Sequence, residues 1–568
     1  MRVKLRPGAH FVPTARGLHC ARGGRAFVLA VPPAVARLLD DRLGELTDGV
    51  DADTLADSAG APAAAALLHR ALAALLAEDV LFDLDLAGGP APDARTARRH
   101  ADTLAHLEQH CAEPYAAFAA LRRAETAVLG EGPAARSAAR SLTALGAGST
   151  PGRPGPGTTA AVVAAEGPDR LRAQAAALPP GTPWVPVLTA PGHAVVGPVL
   201  DGPAAAGPFF ARAARAGAWC RVDPVGRAPA LTAATLAGAL AARRLLDLIG
   251  ATGADPGALR IVHGRTLRTT DCPAAPPPAV LRPGEPPDVT ALTEPWLGPG
   301  RHREDLALPQ LPFRLAAIEA LTLPGRPVLT GWGTDPQDAR RDALLALLRA
   351  QAEAATAAAP GEPAAPGEPA ALGEPAPADP AAASAPVVVA AAGTTEQRWL
   401  LDGLLRLLGA EAAAWSALPW PEVDGPRTRA LRRALTDYHD QPVHLRRHPL
   451  PGTAWCLVEA ADPADGRRLA AQWGPNAPAA AQAALARALA VLQQGRRPAA
   501  PDPSTGTRAL EWAAPADLTA LQAALHAPGV LRGRTPGHRR CPDDAVLGPL
   551  PLPCGPVWLT GPDPLEDA

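Results

Sequence analysis

The sequence predicts an α/β protein of several domains, and three observations carry that reading. Residues 1–88 run as short strand-like pieces followed by helical ones, an α+β order of the winged-helix kind. From Glu125 to Leu200, strand-like and helix-like segments alternate, the pattern of a Rossmann-type domain with a largely parallel sheet. Beyond it a further α/β region is interrupted by a Pro/Ala-rich linker at 355–386. A chain of 568 residues is long enough for about three or four domains, each with its own core.

The N-terminal elements are punctuated by turn residues. "VKLRPGAHFVPT" and "GLHCARG" read as strands parted by a turn at Ala15–Gly17, and "RAFVLAVP" as a third ending at Pro32–Pro33. Pro33 suits the first turn of the helix "PPAVARLLDDRL". A second helix starts near Asp51 or Asp53, either of which can cap it, and stops at Gly60. The third, Pro62–Val80, carries one leucine stripe at 67, 68, 72, 75 and 76.

The next stretch, 89–270, begins with the polar helix "RTARRHADTLAHLEQH". It continues with the strand Thr126–Leu129, the helix after Gly132, and a turn-rich loop, "GAGSTPGRPGPGTT", where a second strand would stand. "AAVVAAE", "PDRLRAQAAAL", "PWVPVLTA" and "HAVVGPVL" follow as strand, helix, strand, strand, then a long helix and the strand pair "ALRIVHGRTLRT". From "DCPAAPPP" at 271 the chain reads as a connection into the region 271–354, which ends in "RPVLTGWG" and the helix "DPQDARRDALLALLRAQAEAA". The 355–386 segment repeats a six-residue Pro/Gly/Glu/Ala unit and has few large apolar residues, so it reads as a disordered tether. Residues 387–500 form the second part of the C-terminal region, and 501–568 a proline-rich tail segment.

Composition excludes several functions. Net charge is −2, so no general attraction to nucleic acid or anionic membrane is expected. No stretch is apolar and long enough to span a bilayer, and the first residues lack the apolar core of a signal peptide. The seven cysteines are widely spaced with no C-x-x-C pair, which suits reduced thiols in a cytoplasmic protein. Lys4 is the only lysine, so a Walker-type phosphate loop is excluded and a Schiff base would rest on Lys4 alone.

The glycine turn of "AVLGEGPAARSAA" is the sharpest local motif. Gly130, Gly132 and Ala135 meet the G-x-G-x-x-A pattern that lets a backbone approach a pyrophosphate at a helix N-terminus. The acidic residue that would hold the ribose, about 20 residues on, is missing, and Glu131 sets a negative charge inside the turn. The pattern is therefore read as a sheet core that keeps its packing glycines, with no cofactor expected. His106 and His110 stand four apart on a helix beside Cys111, and His444 and His448 do so beside three arginines. Solvated or cation-repelling surroundings argue against a metal at either. No G-x-S-x-G and no H-E-x-x-H occurs, so no catalytic residue is assigned.

Three pieces in this order resemble a known family. "LRPGAHFVPTARGLHC…RAFVLAVPPAVARLLDDRLGELTDGVDADTLADSAG" resembles the RiPP recognition element, a winged-helix module that binds leader peptides of ribosomally made natural products. "AVLGEGPAARSAARSL…PWVPVLTAPGHAVVGPVLDGP" is similar to ThiF-like, ubiquitin-activating-type folds in a degenerate form. "TGWGTDPQDARRDALLALLR" and "WGPNAPAAAQAALARALAVLQQ" resemble the C-terminal half of the ocin-ThiF-like proteins of thiopeptide and thiazole-bacteriocin pathways.

The resemblance implies a non-catalytic partner that captures a precursor leader and presents the core to a separate YcaO cyclodehydratase. That enzyme binds ATP and magnesium and forms thiazolines or oxazolines, which a flavin azoline dehydrogenase oxidises where azoles are made. Relatives also pair, so a homodimer belongs to the expectation. The alternative is a ThiF-like nucleotide-binding adenylating enzyme acting on the peptide. The cysteine pairs with which relatives hold structural zinc are reduced to Cys220 and Cys272, so no zinc is expected. For leader capture, a peptide strand would add to the edge of "RAFVLAV". Phe27, Val28 and Leu29 supply that strand, Leu68, Ala71, Leu72 and Leu75 a groove on the helix, and Arg70 an anchor for an acidic leader.

Overall fold

The computed structural model describes residues 1–561 apart from 152, 221–229, 254–256, 273–288, 305, 309, 358–386, 412–416, 421–424, 496–505 and 528–529. The proposed tether therefore lies almost wholly outside the described residues. The chain divides into two compact units, Met1–Ala274 and Ala275–Ala568.

The first unit opens with β1 (Arg2–Leu5), β2 (His10–Thr14), β3 (Gly17–Arg22), β4 (Arg25–Leu29), α1 (Pro33–Asp41), α2 (Leu43–Asp48), β5 (Val50–Asp51), α3 (Ala52–Asp57), α4 (Pro62–Ala77) and β6 (Leu81–Asp83). The piece expected as one first strand is two, broken at Pro7–Gly8, where Gly8 takes a positive φ. β1 pairs antiparallel with β5 and β6, while β2, β3 and β4 form a separate antiparallel meander. Asp51 caps α3, its carboxylate accepting from the N–H groups of Asp53 at 3.0 Å and Thr54 at 3.1 Å. Leu18, Leu39, Leu46, Leu55, Leu68 and Leu72 are fully buried between the helices and the two sheets.

The unit continues through α5 (Ala94–Arg99), α6 (Ala101–His110), α7 (Pro114–Arg123), β7 (Glu125–Leu129), α8 (Gly132–Leu145), β8 (Gly148–Pro151), β9 (Ala160–Glu166), α9 (Pro168–Ala175), β10 (Pro183–Ala190), β11 (His193–Val196) and β12 (Leu200–Asp201). It closes with α10 (Ala206–Cys220), α11 (Ala230–Ile249), β13 (Leu259–His263) and β14 (Thr269–Cys272). The sheet order is β14-β13-β11-β10-β9-β7-β8, with β12 paired to β10 off that path. β8, β7, β9 and β10 are parallel, as the alternation predicts, and from β10 onward each of β11, β13 and β14 pairs antiparallel with the strand before it. Two expectations are corrected. A second strand does exist, because Gly148–Pro151 pairs with β7 despite its glycine and its proline. The connection expected from 271 starts later, since Asp271 and Cys272 complete β14.

The second unit holds β15 (Gly300–His302), β16 (Arg314–Ala320), β17 (Val328–Gly333), α12 (Pro336–Ala357), β18 (Val388–Ala392), α13 (Glu396–Glu411), β19 (Leu418–Pro419) and α14 (Pro426–Arg433). It ends with β20 (His444–Pro449), β21 (Cys456–Ala461), β22 (Arg468–Gly474), α15 (Ala477–Gln493), α16 (Ala509–Trp512), α17 (Pro515–Leu525), β23 (Thr535–His538) and β24 (Cys554–Thr560). One motif is built twice: the hairpin β16–β17 leading into α12, and the hairpin β21–β22 leading into α15. Each copy ends its hairpin in a buried Trp-Gly, Trp332–Gly333 and Trp473–Gly474. Each then caps its helix from the second residue on, Asp335 accepting from Asp338 N–H and Asn476 from Ala479 N–H, both at 2.9 Å. A Cβ on Gly333 or Gly474 would come 2.5 Å from the backbone nitrogen of Ala339 or Ala480, so each glycine lets the hairpin meet its helix.

The proline-rich segment 501–568 carries regular structure among its described residues, and β24 is the middle strand of the sheet β18-β24-β23. Its Val557 and Leu559 enter the same core as Trp399 and Trp473. Proline density hid this strand, because Pro542, Pro549, Pro551 and Pro553 fall in the loop before it and Pro556 is the sole proline within it.

Candidate functional site

The open edge of β4 is the first candidate. β4 pairs only with β3, so among the described residues its other edge carries no strand. The hairpin turns through Gly23 and Gly24, both at positive φ, as a two-residue primed turn requires. Such a turn is flanked by a hydrogen-bonded pair, Arg22 with Arg25, and the pairs alternate from there. Ala26 and Val28 therefore fall in non-bonded pairs and direct their N–H and C=O groups to the open edge. Phe27 and Leu29 are half-buried and rest on the core, and Val28 is 49% exposed. The meander's other edge, β2, includes Pro13, which has no N–H to offer a pairing strand.

A small cavity of about 250 Å³ lies beside this edge, lined by Arg22, Arg25, Phe27, Glu78, Asp79 and His110 among others. Arg22 binds the Asp79 carboxylate and carbonyl and the Gln109 carbonyl, and Arg6 bonds Asp79 at 2.8 Å. The end of β3 is thereby tied to the ends of α4 and α6. The predicted groove residues stand differently. Leu68, Leu72 and Leu75 are completely buried and Ala71 is 2% exposed, so they have no surface to offer a peptide. Their stripe is the core face of α4, and Leu67 and Leu76 are the half-buried leucines of that helix. Arg70 is exposed, with no ion pair among the described residues.

The glycine turn is shaped by packing. Gly130 has φ +113, and a Cβ there would sit 1.9 Å from the Ala164 carbonyl oxygen of β9. The Gln174 side-chain oxygen lies over the same spot, 3.2 Å from that Cβ position. Ala135 is buried, and Gly238 of α11 lets that helix approach α8 so closely that a Cβ would be 2.1 Å from the Ala134 oxygen. Glu131 is exposed at the N-cap of α8 and makes no capping bond. No carboxylate stands within β8, Gly148–Pro151. The turn has the geometry of its motif, and no Asp or Glu occurs in the sequence between Gly132 and Ala165.

In each histidine pair one member already faces a carboxylate. His106 bonds Asp247 through Nε2 at 2.6 Å and receives Arg243 at Nδ1. Burial, and then neighbouring His106, keep the His110 imidazole below its usual range. His448 is buried against Glu459 at 3.3 Å. Among the described residues no group of three or more His, Cys, Asp or Glu could hold a metal ion.

A second candidate lies wholly within the second unit and was not legible in the sequence. A cavity of about 510 Å³ is lined by α12, β17, β18, α13, β22 and residues 506–511. Three of the lining residues converge on Asp402, which is 1% exposed and accepts from Arg349 at 3.0 Å, Arg406 at 2.9 Å and the Thr507 hydroxyl, and also from Ala392 N–H at 3.0 Å. Burial pushes its carboxyl up, but the two arginines and these hydrogen bonds outweigh that and hold it at about 2. Arg508 is equally enclosed, paired with Asp338 at 2.8 Å and Asp342 at 3.0 Å. Its guanidinium lies 4.0 Å from the Trp332 ring centre and 4.8 Å from that of Trp512. Asp338, Asp342 and Asp402 thus each already hold a guanidinium. An incoming cation would have to displace one.

No protein-family model matches the sequence, and no curated protein matches it. Solved structures do match. A heterocyclase in complex with substrate and cofactor superposes with a TM-score of 0.56 at 12% identity, covering 98% of this chain and 94% of its own. The heterocyclase TruD does so at 0.52 and 12%, over the same shares. Escherichia coli MccB matches 48% of this chain at a TM-score of 0.34 and 11% identity. The chain shares the fold of the heterocyclase TruD, and that likeness runs through both units.

Proposed function

We propose that this chain is a leader-peptide-binding scaffold that delivers a ribosomal precursor peptide to a separate YcaO cyclodehydratase for ATP-dependent azoline formation. The observation that carries this reading is the open β4 edge. It offers unpaired main-chain groups at Ala26 and Val28, above the half-buried Phe27 and Leu29. An extended leader adds there as a further antiparallel or parallel strand. Main-chain bonds supply affinity, and alternate leader side chains meet either the apolar face or the solvent. Arg70, exposed on α4, is the proposed contact for an acidic leader.

The fold shared with a heterocyclase supports a place in the same peptide chemistry. The non-catalytic role is supported by the exposed Glu131 inside the glycine turn and by carboxylates of the second unit that already hold arginines. ATP and magnesium would be bound by the YcaO partner, and a flavin azoline dehydrogenase would act later.

The test is a fluorescence-polarisation titration of the full chain with the leader peptide encoded beside a YcaO gene. Val28→Pro removes one outward N–H while leaving the β3 pairing intact. Binding is expected to weaken by at least about tenfold, equivalent to about 1.4 kcal/mol. Unchanged affinity in a folded Val28→Pro protein would remove the edge from the proposal. The adenylating alternative makes the opposite forecast: measurable ATP–magnesium binding by the isolated chain in calorimetry.

A further inference from the structure

Two cysteines that the proposed function does not use face each other at the end of the second unit. The register of β23 on β24 runs Thr535 with Thr560 through His538 with Val557. It continues beyond β23, because Arg539 N–H donates to the Pro556 carbonyl at 3.1 Å and Cys541 N–H to the Cys554 carbonyl at 2.8 Å. Cys541 and Cys554 are therefore directly opposed in a hydrogen-bonded antiparallel pair. The Cα atoms of such a pair are about 5.5 Å apart, within the span of about 4.4–6.8 Å that a disulfide bridges. Gly555 allows the close approach, since a Cβ there would lie 2.0 Å from the Arg539 oxygen.

The two thiols differ in environment. Cys554 is 1% exposed, while Cys541 is partly accessible. The neighbouring Cys554 thiol, ahead of the opposing effect of burial, holds Cys541 below the ordinary thiol range, and the neighbouring Cys541 thiol together with burial pushes Cys554 well up. Cys541 is the thiol that an incoming disulfide can reach, and the buried Cys554 stands opposite it to resolve the adduct. The remaining cysteines include no such opposed pair among the strand registers described.

We propose that Cys541 and Cys554 form a reversible disulfide site that reacts with low-molecular-weight disulfides. The Cys541 thiolate attacks one sulfur of the small disulfide, a new S–S bond forms, and one small thiolate leaves. Cys554 then gives up its proton and attacks the Cys541 sulfur, releasing the second small thiolate. In sum two protein thiols become one disulfide and the reagent becomes two thiols, so electrons and protons balance. The cross-link closes the loop 542–553. Pro551, Leu552 and Pro553 of that loop, with Arg540, form one wall of a cavity of about 990 Å³ within the second unit. Oxidation therefore ties that wall to the strand on which it hangs.

The sequence makes the test direct. No Arg or Lys follows Arg540, so both cysteines fall in one tryptic peptide, 541–568. The folded full chain is incubated with oxidised glutathione, free thiols are alkylated, and the digest is read by mass spectrometry with and without dithiothreitol. The expected product is this peptide lighter by two hydrogens, unalkylated, and restored by dithiothreitol. Cys541→Ser should abolish it. Cys554→Ser, if it folds, should instead accumulate the glutathione adduct at Cys541. A 541–568 peptide that stays fully alkylated, or a lasting glutathione adduct at Cys541 in the unsubstituted protein, would overturn the proposal.

Discussion

Arg508 shows how much one residue can hold together. Its guanidinium joins α12, through Asp338 and Asp342, to the segment that follows α15, and it lies between the rings of Trp332 and Trp512. Arg508→Ala would leave two carboxylates without their cation and remove both ring contacts. The expected loss is about 3–5 kcal/mol, read as a shift in the denaturant midpoint of the second unit. Asp402 supplies a pH dependence of known sign. Its folded pKa is depressed to about 2, so it stabilises the fold above the ordinary aspartate range. That contribution fades as pH falls from about 4 towards 2, where the folded form also takes up the proton. Its size is about 2 kcal/mol. Asp402→Asn should flatten the loss of stability over that window in acid titration followed by circular dichroism. A variant that loses stability as steeply as the parent would show that other carboxylates govern the acid limb. Neither residue stood out in the sequence. Asp402 is one of three acids in the leucine-rich α13, and its partners Arg349 and Thr507 are 53 and 105 residues away.

At the scale of elements, the binding edge depends on how β4 is held. Gly17 begins β3 at φ +129, and a Cβ there would lie 2.2 Å from the Leu29 carbonyl oxygen. Gly17→Ala must therefore push the two strand ends apart, where the backbone has no room to give. A destabilisation of about 1–3 kcal/mol is expected, together with weakened leader binding. Gly24→Ala is the control, since nothing lies near its Cβ position and only the positive φ is strained. Equal effects of the two on binding would show that close packing at Gly17 is unimportant. Elements were legible where local chemistry decides them. The Ala15–Gly17 turn, Pro33, Asp51 and Pro62 each marked its boundary. The leucine stripe of α4 was legible too, yet periodicity states only that one face is apolar, and that face proved to be core. The strands β8 and β24 escaped because their pairing partners are distant in sequence and their prolines counted against them. The doubled motif shows a third kind of gap. Its "TGWG" and "AQWG" hairpin ends and its two helices are visible in the sequence, but the shared glycine packing and capping are apparent only in three dimensions.

The chain comprises two units of similar size, and the proposed function leads to a prediction about where leader affinity resides. Everything the proposed edge needs belongs to Met1–Ala274: the β2–β4 meander, the helices α1 to α4 behind it, and the arginine ties from Arg6 and Arg22 to Asp79 and Gln109. That unit has two continuous cores of its own, one beneath the meander and one in the larger sheet. A chain ending at residue 274 should therefore fold and bind the leader with affinity within about threefold of the full protein, a difference below about 1 kcal/mol. The second unit would then serve another step, which is where partner docking is expected. The discriminating pair of measurements is leader polarisation and YcaO co-elution, each with the full chain and with 1–274. Retained leader binding with lost co-elution is the expected result. A fall of more than about tenfold in leader affinity would mean that the second unit contributes directly to the peptide site, and the β4 edge alone would then be too small an account of recognition.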